Sequence, residues 1–286
     1  MSNQPLPKVP RKRRAVAPLL AAPRYEILPL PRAREATEQL PVGSVVTVTA
    51  SPHKGLHATI DTAEDVAAQG MRAVPHLAAR QFHDSAELSD VLDRLASAGI
   101  DEVFVVGGDG EQPAGDFPDG LALLRAMASL GKLPAEVGVP SYPEGHHAID
   151  GATLWTSLLA KQEYATYTVT QLCFDADAIC RFAADAQRNG VTLPVVVGMP
   201  GVVDITKLLR VGLKIGVGDS LRFARGNTSV AGKLLRPGGY RPDGLVRKLA
   251  SRVASGDCSL AGLHFYTFNH VAATARWVRN THRRAA

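Results

Sequence analysis

Cysteine is scarce in this chain: only Cys173, Cys180 and Cys258 occur in 286 residues. They lack CxxC spacing and cannot all pair, so they read as buried thiols in a reducing compartment, with no disulfide framework. No constellation of Cys, His and acid has the spacing of a zinc site, and the metal expectation is none. Long apolar runs are also missing, and nothing approaches the roughly 20 residues of a membrane span. The N-terminus has no apolar secretory core, and its prolines spoil the amphipathic helix of a transit peptide; the reading is cytoplasmic. Neither GxGxxG nor a Gly-rich GKS/T loop occurs, so the commonest dinucleotide and phosphate signatures are excluded. There is no sequence repeat beyond a strand–helix rhythm, and no sign of a second domain.

The net charge of +5 is local. Lys8, Arg11, Lys12, Arg13 and Arg14 account for all of it before any acid appears. With Pro5, Pro7, Pro10 and Pro18 among them, residues 1–23 read as a disordered, solubilising tail. The body is neutral and ordinary for a globular domain, at 45% hydrophobic and 21% charged residues. No nucleic acid or membrane partner is expected of it, and the oligomeric state stays open.

What is present is a rhythm. Eight times a short β-branched run ends in a polar residue and hands over to a helical stretch. The runs are Tyr25–Pro29, Val45–Thr49, Ala73–His76, Val103–Val106, Val137–Val139, Tyr167–Gln171, Pro194–Val197 and Gly262–Tyr266. Between them, Thr62 is expected to open one helix and Ser85 to cap the clearest one, whose stripe is Leu88, Val91, Leu92 and Leu95. Two or three helices are expected within residues 204–255. The pattern is that of an α/β chain forming a single (β/α)8 TIM barrel over residues 24–286, with its chemistry at the strand C-termini.

The strand ends carry specific words. They are Tyr25-Glu26-Ile27-Leu28-Pro29, Pro75-His76-Leu77, Gly108-Asp109, Tyr142-Pro143-Glu144-Gly145-His146, Thr170-Gln171 with Phe174-Asp175, and His264-Phe265-Tyr266-Thr267-Phe268-Asn269. In this order, over about residues 25–280, they resemble the methylenetetrahydrofolate reductases. The resemblance implies reduction of 5,10-methylenetetrahydrofolate to 5-methyltetrahydrofolate in one-carbon metabolism, on the way to methionine. It implies Glu26 as general acid, Asp109 as a catalytic and substrate-binding carboxylate, and Gln171 and Tyr266 as folate contacts. It places Thr49, His76, Gly108, Tyr142, His146 and Lys161 around the cofactor. Glu26, between apolar neighbours on an interior strand, is expected to hold its proton near neutral pH through desolvation.

Two flavin-contact positions depart from the family. Gly107 stands where the family has an Arg before Gly-Asp, and Leu154-Trp155 stand where it has an Asp. His270 also replaces a frequent Arg after Asn269. A diphosphate needs fixed donors or cations. The expected hydride source is therefore NADH or NADPH acting directly, with FAD absent or weakly held; the lack of a 2′-phosphate clamp leans to NADH. The rival readings are an FAD-dependent reductase with two-step hydride transfer, a folate-dependent methyl-group transferase on the same barrel, and a non-enzymatic protein anchored to nucleic acid by residues 1–20.

Overall fold

A β-branched run buried on both faces needs a parallel neighbour on each side and a helix over its outer surface. The computed structural model describes residues 16–51, 53–204 and 239–285. In it eight such runs satisfy one another by closing into a cylinder. They are β1 (Arg24–Ile27), β2 (Val45–Val48), β3 (Arg72–Ala78), β4 (Glu102–Val106), β5 (Glu136–Ser141), β6 (Tyr167–Thr170), β7 (Val195–Pro200) and β8 (Gly262–Tyr266). Each strand pairs in parallel with the next, and β8 returns to β1, which sets Glu26 beside both Thr47 and Tyr266. The fold is the expected (β/α)8 barrel.

The described helices are α1 (Val16–Leu19), α2 (Ala33–Thr37), α3 (Gly55–Ala68), α4 (Ser85–Ser97), α5 (Gly120–Ser129), α6 (Gly151–Lys161), α7 (Ala176–Arg188), α8 (Asp243–Ser255) and α9 (Val271–Ala285). Among the described residues no helix is long and apolar enough to cross a membrane. Four of them begin on an aspartate whose carboxylate accepts backbone N–H groups: Asp84, Asp119, Asp150 and Asp175. Each such cap satisfies donors that the first helical turn leaves free, and typically contributes about 1 kcal/mol.

Local expectations shift in three places. Asp84, not Ser85, caps α4, because its carboxylate reaches the N–H groups of Ala86 and Glu87 at 2.9 Å. Thr62 lies inside α3, and its hydroxyl donates back to the Ala58 carbonyl at 2.7 Å. Within the stretch read as tail, Val16–Leu19 form a helical turn, with Val16, Leu19 and Leu20 buried against the barrel. The basic residues before it lie outside the described residues. So does most of the 204–255 insertion, of which α8 is described.

Two cores result. Alternate strand residues such as Val46, Val48, Val103, Val105 and Val197 meet the helices in the outer one. The inner one is a plug of Val45, Val74, Phe104, Tyr167, Val169 and Val196 filling the cylinder. Gly138 leaves room for it: a Cβ there would lie 2.5 Å from the rings of both Phe104 and Tyr167. The interior is therefore packed below and open to chemistry only above the plug.

Candidate active site

Side chains alternate along a strand, so residues two apart climb the barrel interior one layer at a time. At the floor, where strands begin, Glu102 of β4 is 1% exposed and ion-paired to Arg24 of β1. Arg72 of β3 reaches the same carboxylate at 3.2 Å, and the Tyr167 hydroxyl donates to it at 2.8 Å. The Arg24 guanidinium also lies 4.2 Å above the centre of the Tyr167 ring. Above this floor comes the apolar plug. Above the plug come Glu26, two residues on from Arg24, and His76, four on from Arg72, joined by His264 of β8.

These three form a buried acid–imidazole cluster. His264 Nε2 lies 3.0 Å from Glu26 Oε2, and His76 Nε2 lies 3.7 Å from the same oxygen. The first is a hydrogen bond and the second is too long for one. Burial pushes the Glu26 carboxyl up to about 7, an effect that a charge on His76 would oppose. Burial also drives His76 down to about 4, with Glu26 acting against it, and His264 down to about 3. Near neutral pH both imidazoles are uncharged and Glu26 is poised between its two forms. The Glu26 side chain is 11% exposed, so bulk water is almost excluded from it.

The end of β1 is held by the segment after β8. Thr267 donates its hydroxyl to the Glu26 carbonyl at 2.6 Å. Asn269 accepts from the Leu28 N–H at 2.7 Å and donates to the Leu28 carbonyl at 3.3 Å. Phe268 and Asn269 both take left-handed backbone, with φ of 49° and 64°, a strain that non-glycine residues keep only where contacts hold it. His264, Thr267 and Asn269 thus position Glu26, though only their motif and no role for them was legible. Their partner lies at the other end of the chain, and barrel closure alone brings the two together.

At the mouth, electrostatics link the expected residues in a chain. Burial raises the Tyr266 hydroxyl well above its usual value, and Glu26 and Tyr142 push the same way. Tyr142 is raised by burial and then by Asp109. His146 is lowered by burial and by His147, while Asp109 opposes. The Tyr142 and His146 rings meet edge-on, their centres 5.1 Å apart. Gln171 extends β6, its N–H donating to the Ser141 carbonyl at 2.7 Å. Its side-chain oxygen accepts from the Leu172 N–H at 2.8 Å. Thr49 continues β2 beyond Thr47, with a buried hydroxyl that finds no partner among the described residues. Gly108, at φ 96°, lets the β4 loop pass close to Ala78 and Arg80.

Lys161 is not brought to this mouth. It ends α6, and the next residue, Gln162, hydrogen bonds Gly190 and Thr192 in the turn entering β7, at the barrel's opposite end. Its amine is lowered by burial, with Asp119 acting against the shift.

Among the described residues, those at the two departing positions do not fit a flavin diphosphate. Arg80 is the arginine nearest to Gly107, and its guanidinium is committed to the Pro118 and Gly110 carbonyls at 2.8 and 2.7 Å. Trp155, where an acid was expected, stacks on Phe182 at 5.2 Å within the helix layer. Among the described residues no group of His, Cys, Asp and Glu could hold a metal ion either.

Comparison with known proteins agrees with the strand-end words. Residues 29–217 match the family model described as methylenetetrahydrofolate reductase. A protein of Oryza sativa subsp. japonica named "Probable methylenetetrahydrofolate reductase (NADH)" is 31% identical over 137 residues. That match covers 42% of this chain and 23% of the rice protein, so it spans about a quarter of the relative's length. A solved structure from Burkholderia cenocepacia J2315, described as a phosphonomutase, has a TM-score of 0.50 at 10% identity. It covers 94% of this chain and 97% of that one, a likeness of fold alone. A closed barrel, strand-end motifs in the family's order and a family match over more than half the length converge: the chain belongs to the methylenetetrahydrofolate reductase family.

Proposed function

We propose that this protein reduces 5,10-methylenetetrahydrofolate to 5-methyltetrahydrofolate with a hydride taken directly from NADH or NADPH, without a tightly held flavin. The observation that carries the reading is Glu26, a carboxyl raised to about 7 between two neutral imidazoles above the barrel plug. The bridging ring of the substrate must open before a hydride can arrive. Glu26 supplies the proton toward N10, which leaves a cationic iminium at N5. The hydride then adds to the iminium carbon, and the bridge becomes a methyl group. Asp109, exposed at the mouth, favours the cation electrostatically. Thr49, His76, Tyr142 and His146 line the space left for the nicotinamide. The rice relative's name favours NADH as the donor.

The test is a stopped assay for 5-methyltetrahydrofolate with NADH, with and without added FAD, beside a visible absorbance scan. Turnover by colourless protein without FAD is the expected result. Turnover only with FAD, or none with either nucleotide, would overturn the reading.

Gln171 offers a sharper check on the folate pose. With its oxygen occupied by Leu172, it offers donors to a pterin carbonyl. Gln171→Glu keeps the bond to Leu172 and loses those donors. The Michaelis constant for the folate should rise about tenfold, as for one lost hydrogen bond, while the constant for NADH stays put. An unchanged folate constant would remove Gln171 from the substrate site.

A further inference from the structure

Two of the three cysteines, far apart in sequence, meet on the outer layer of the barrel. Cys180 lies in the second turn of α7, and Cys258 in the short turn between α8 and β8. Their thiols interact electrostatically, and they are 2% and 7% exposed. The meeting is built by the end of α8. Gly256 takes left-handed backbone at φ 82°, and the Gly256 and Asp257 N–H groups close onto the Val253 and Arg252 carbonyls at 3.1 and 3.0 Å. This reverses the chain and turns Cys258 back toward α7.

A cation completes the cluster. The charge of Arg252, in the last turn of α8, acts on the Cys180 thiol. Asp177 and Asp257 hold its guanidinium at 3.4 and 3.8 Å. A cavity of about 440 Å³ opens beside the pair, lined by Ala183 and Ala184 of α7, by Val253 and Gly256, and by Cys258 itself. It is ample for a small oxidant. Cys173 has none of this: it sits after β6, and burial followed by Glu144 pushes its thiol far up.

We propose that Cys180 and Cys258 form a peroxide-responsive dithiol that closes reversibly into an intramolecular disulfide joining α7 to the turn before β8. The Cys180 thiolate attacks hydrogen peroxide: an S–O bond forms, the O–O bond breaks, and the leaving hydroxide takes a proton to become water. The Cys258 sulfur then attacks the resulting sulfenic acid, so that the S–S bond forms, the S–O bond breaks and a second water leaves. Two thiols are oxidised and one peroxide is reduced, with no other reagent. The neighbouring Cys258 thiol and the charge of Arg252 favour the Cys180 thiolate, which marks it as the attacking sulfur.

The experiment exposes the reduced full chain to a few equivalents of hydrogen peroxide, then denatures it, alkylates it and reads intact mass and peptides. The expected product carries one alkyl group, on Cys173, with a Cys180–Cys258 cross-linked peptide; dithiothreitol restores all three sites. Three alkylated cysteines under peroxide that oxidises a small dithiol in parallel would overturn the proposal. So would cross-links through Cys173 or only between chains. In Cys258→Ser the sulfenic acid should persist and be trapped by dimedone on Cys180; trapping on Cys173 instead would overturn it. Arg252→Gln should slow thiol loss near pH 7 by about tenfold as the thiolate fraction falls. An unchanged rate would defeat the assignment of Cys180 as the attacking sulfur.

Discussion

Glu26→Gln should fold normally and turn over at least roughly 100-fold more slowly, the lower range for a lost general acid. The amide is isosteric and, as donor or acceptor, keeps a hydrogen bond with His264 Nε2, so the layer above the plug keeps its packing. What it lacks is a transferable proton. Wild-type kcat/KM should be level below neutrality and fall about tenfold per pH unit above about 7, as the Glu26 proton is lost. The variant's residual rate should lose that limb. Stability also falls with rising pH, over a lower window, and its sign identifies the cause. A carboxyl raised from 4.5 to about 7 binds its proton more tightly when folded, so stability falls as pH rises across that window. Glu26→Gln removes this loss and should melt no lower than wild type at alkaline pH. Near-normal turnover, or a pH limb that survives the substitution, would take Glu26 out of the mechanism.

The parts of this site that were legible share one local property: a polar residue ending an apolar run. His76, Asp109, Tyr142, Gln171 and Tyr266 all show it, and alternation along parallel strands is enough to aim them into one mouth. The desolvation of Glu26 was legible for the same reason, since Tyr25 and Ile27 mark its strand as buried. Illegible were relations set by closure. His264 reads as one more residue of a strand until β8 pairs with β1 and sets it against Glu26. The Cys180–Cys258 contact needed the reversal at Gly256, whose left-handed backbone no spacing announces. Caps were misread by one residue at Asp84, where adjacent Asp and Ser are equally good candidates on type alone.

The second interior glutamate should behave as the converse of the first. Glu102→Gln is expected to cost about 3 kcal/mol of stability, because removing one partner of a buried pair strands the other charge. Arg24, with a side chain 17% exposed, cannot escape to water, and the new amide NH2 would face cationic donors. Arg72, at 56%, swings into solvent and adds little. Spread over a barrel of this size, such a loss lowers Tm by about 5 °C. Measured well below that Tm, kcat and both Michaelis constants should stay near wild type, since the Val74, Phe104 and Val169 plug separates Glu102 from the acid cluster. Pairing Arg24→Met with Glu102→Leu should recover most of the stability, as apolar replacements of buried ion pairs do. The two carboxylates lie in one cylinder, and only their layer differs. A collapse of turnover in folded Glu102→Gln, with Tm unchanged, would show that the plug does not insulate the floor from the chemistry.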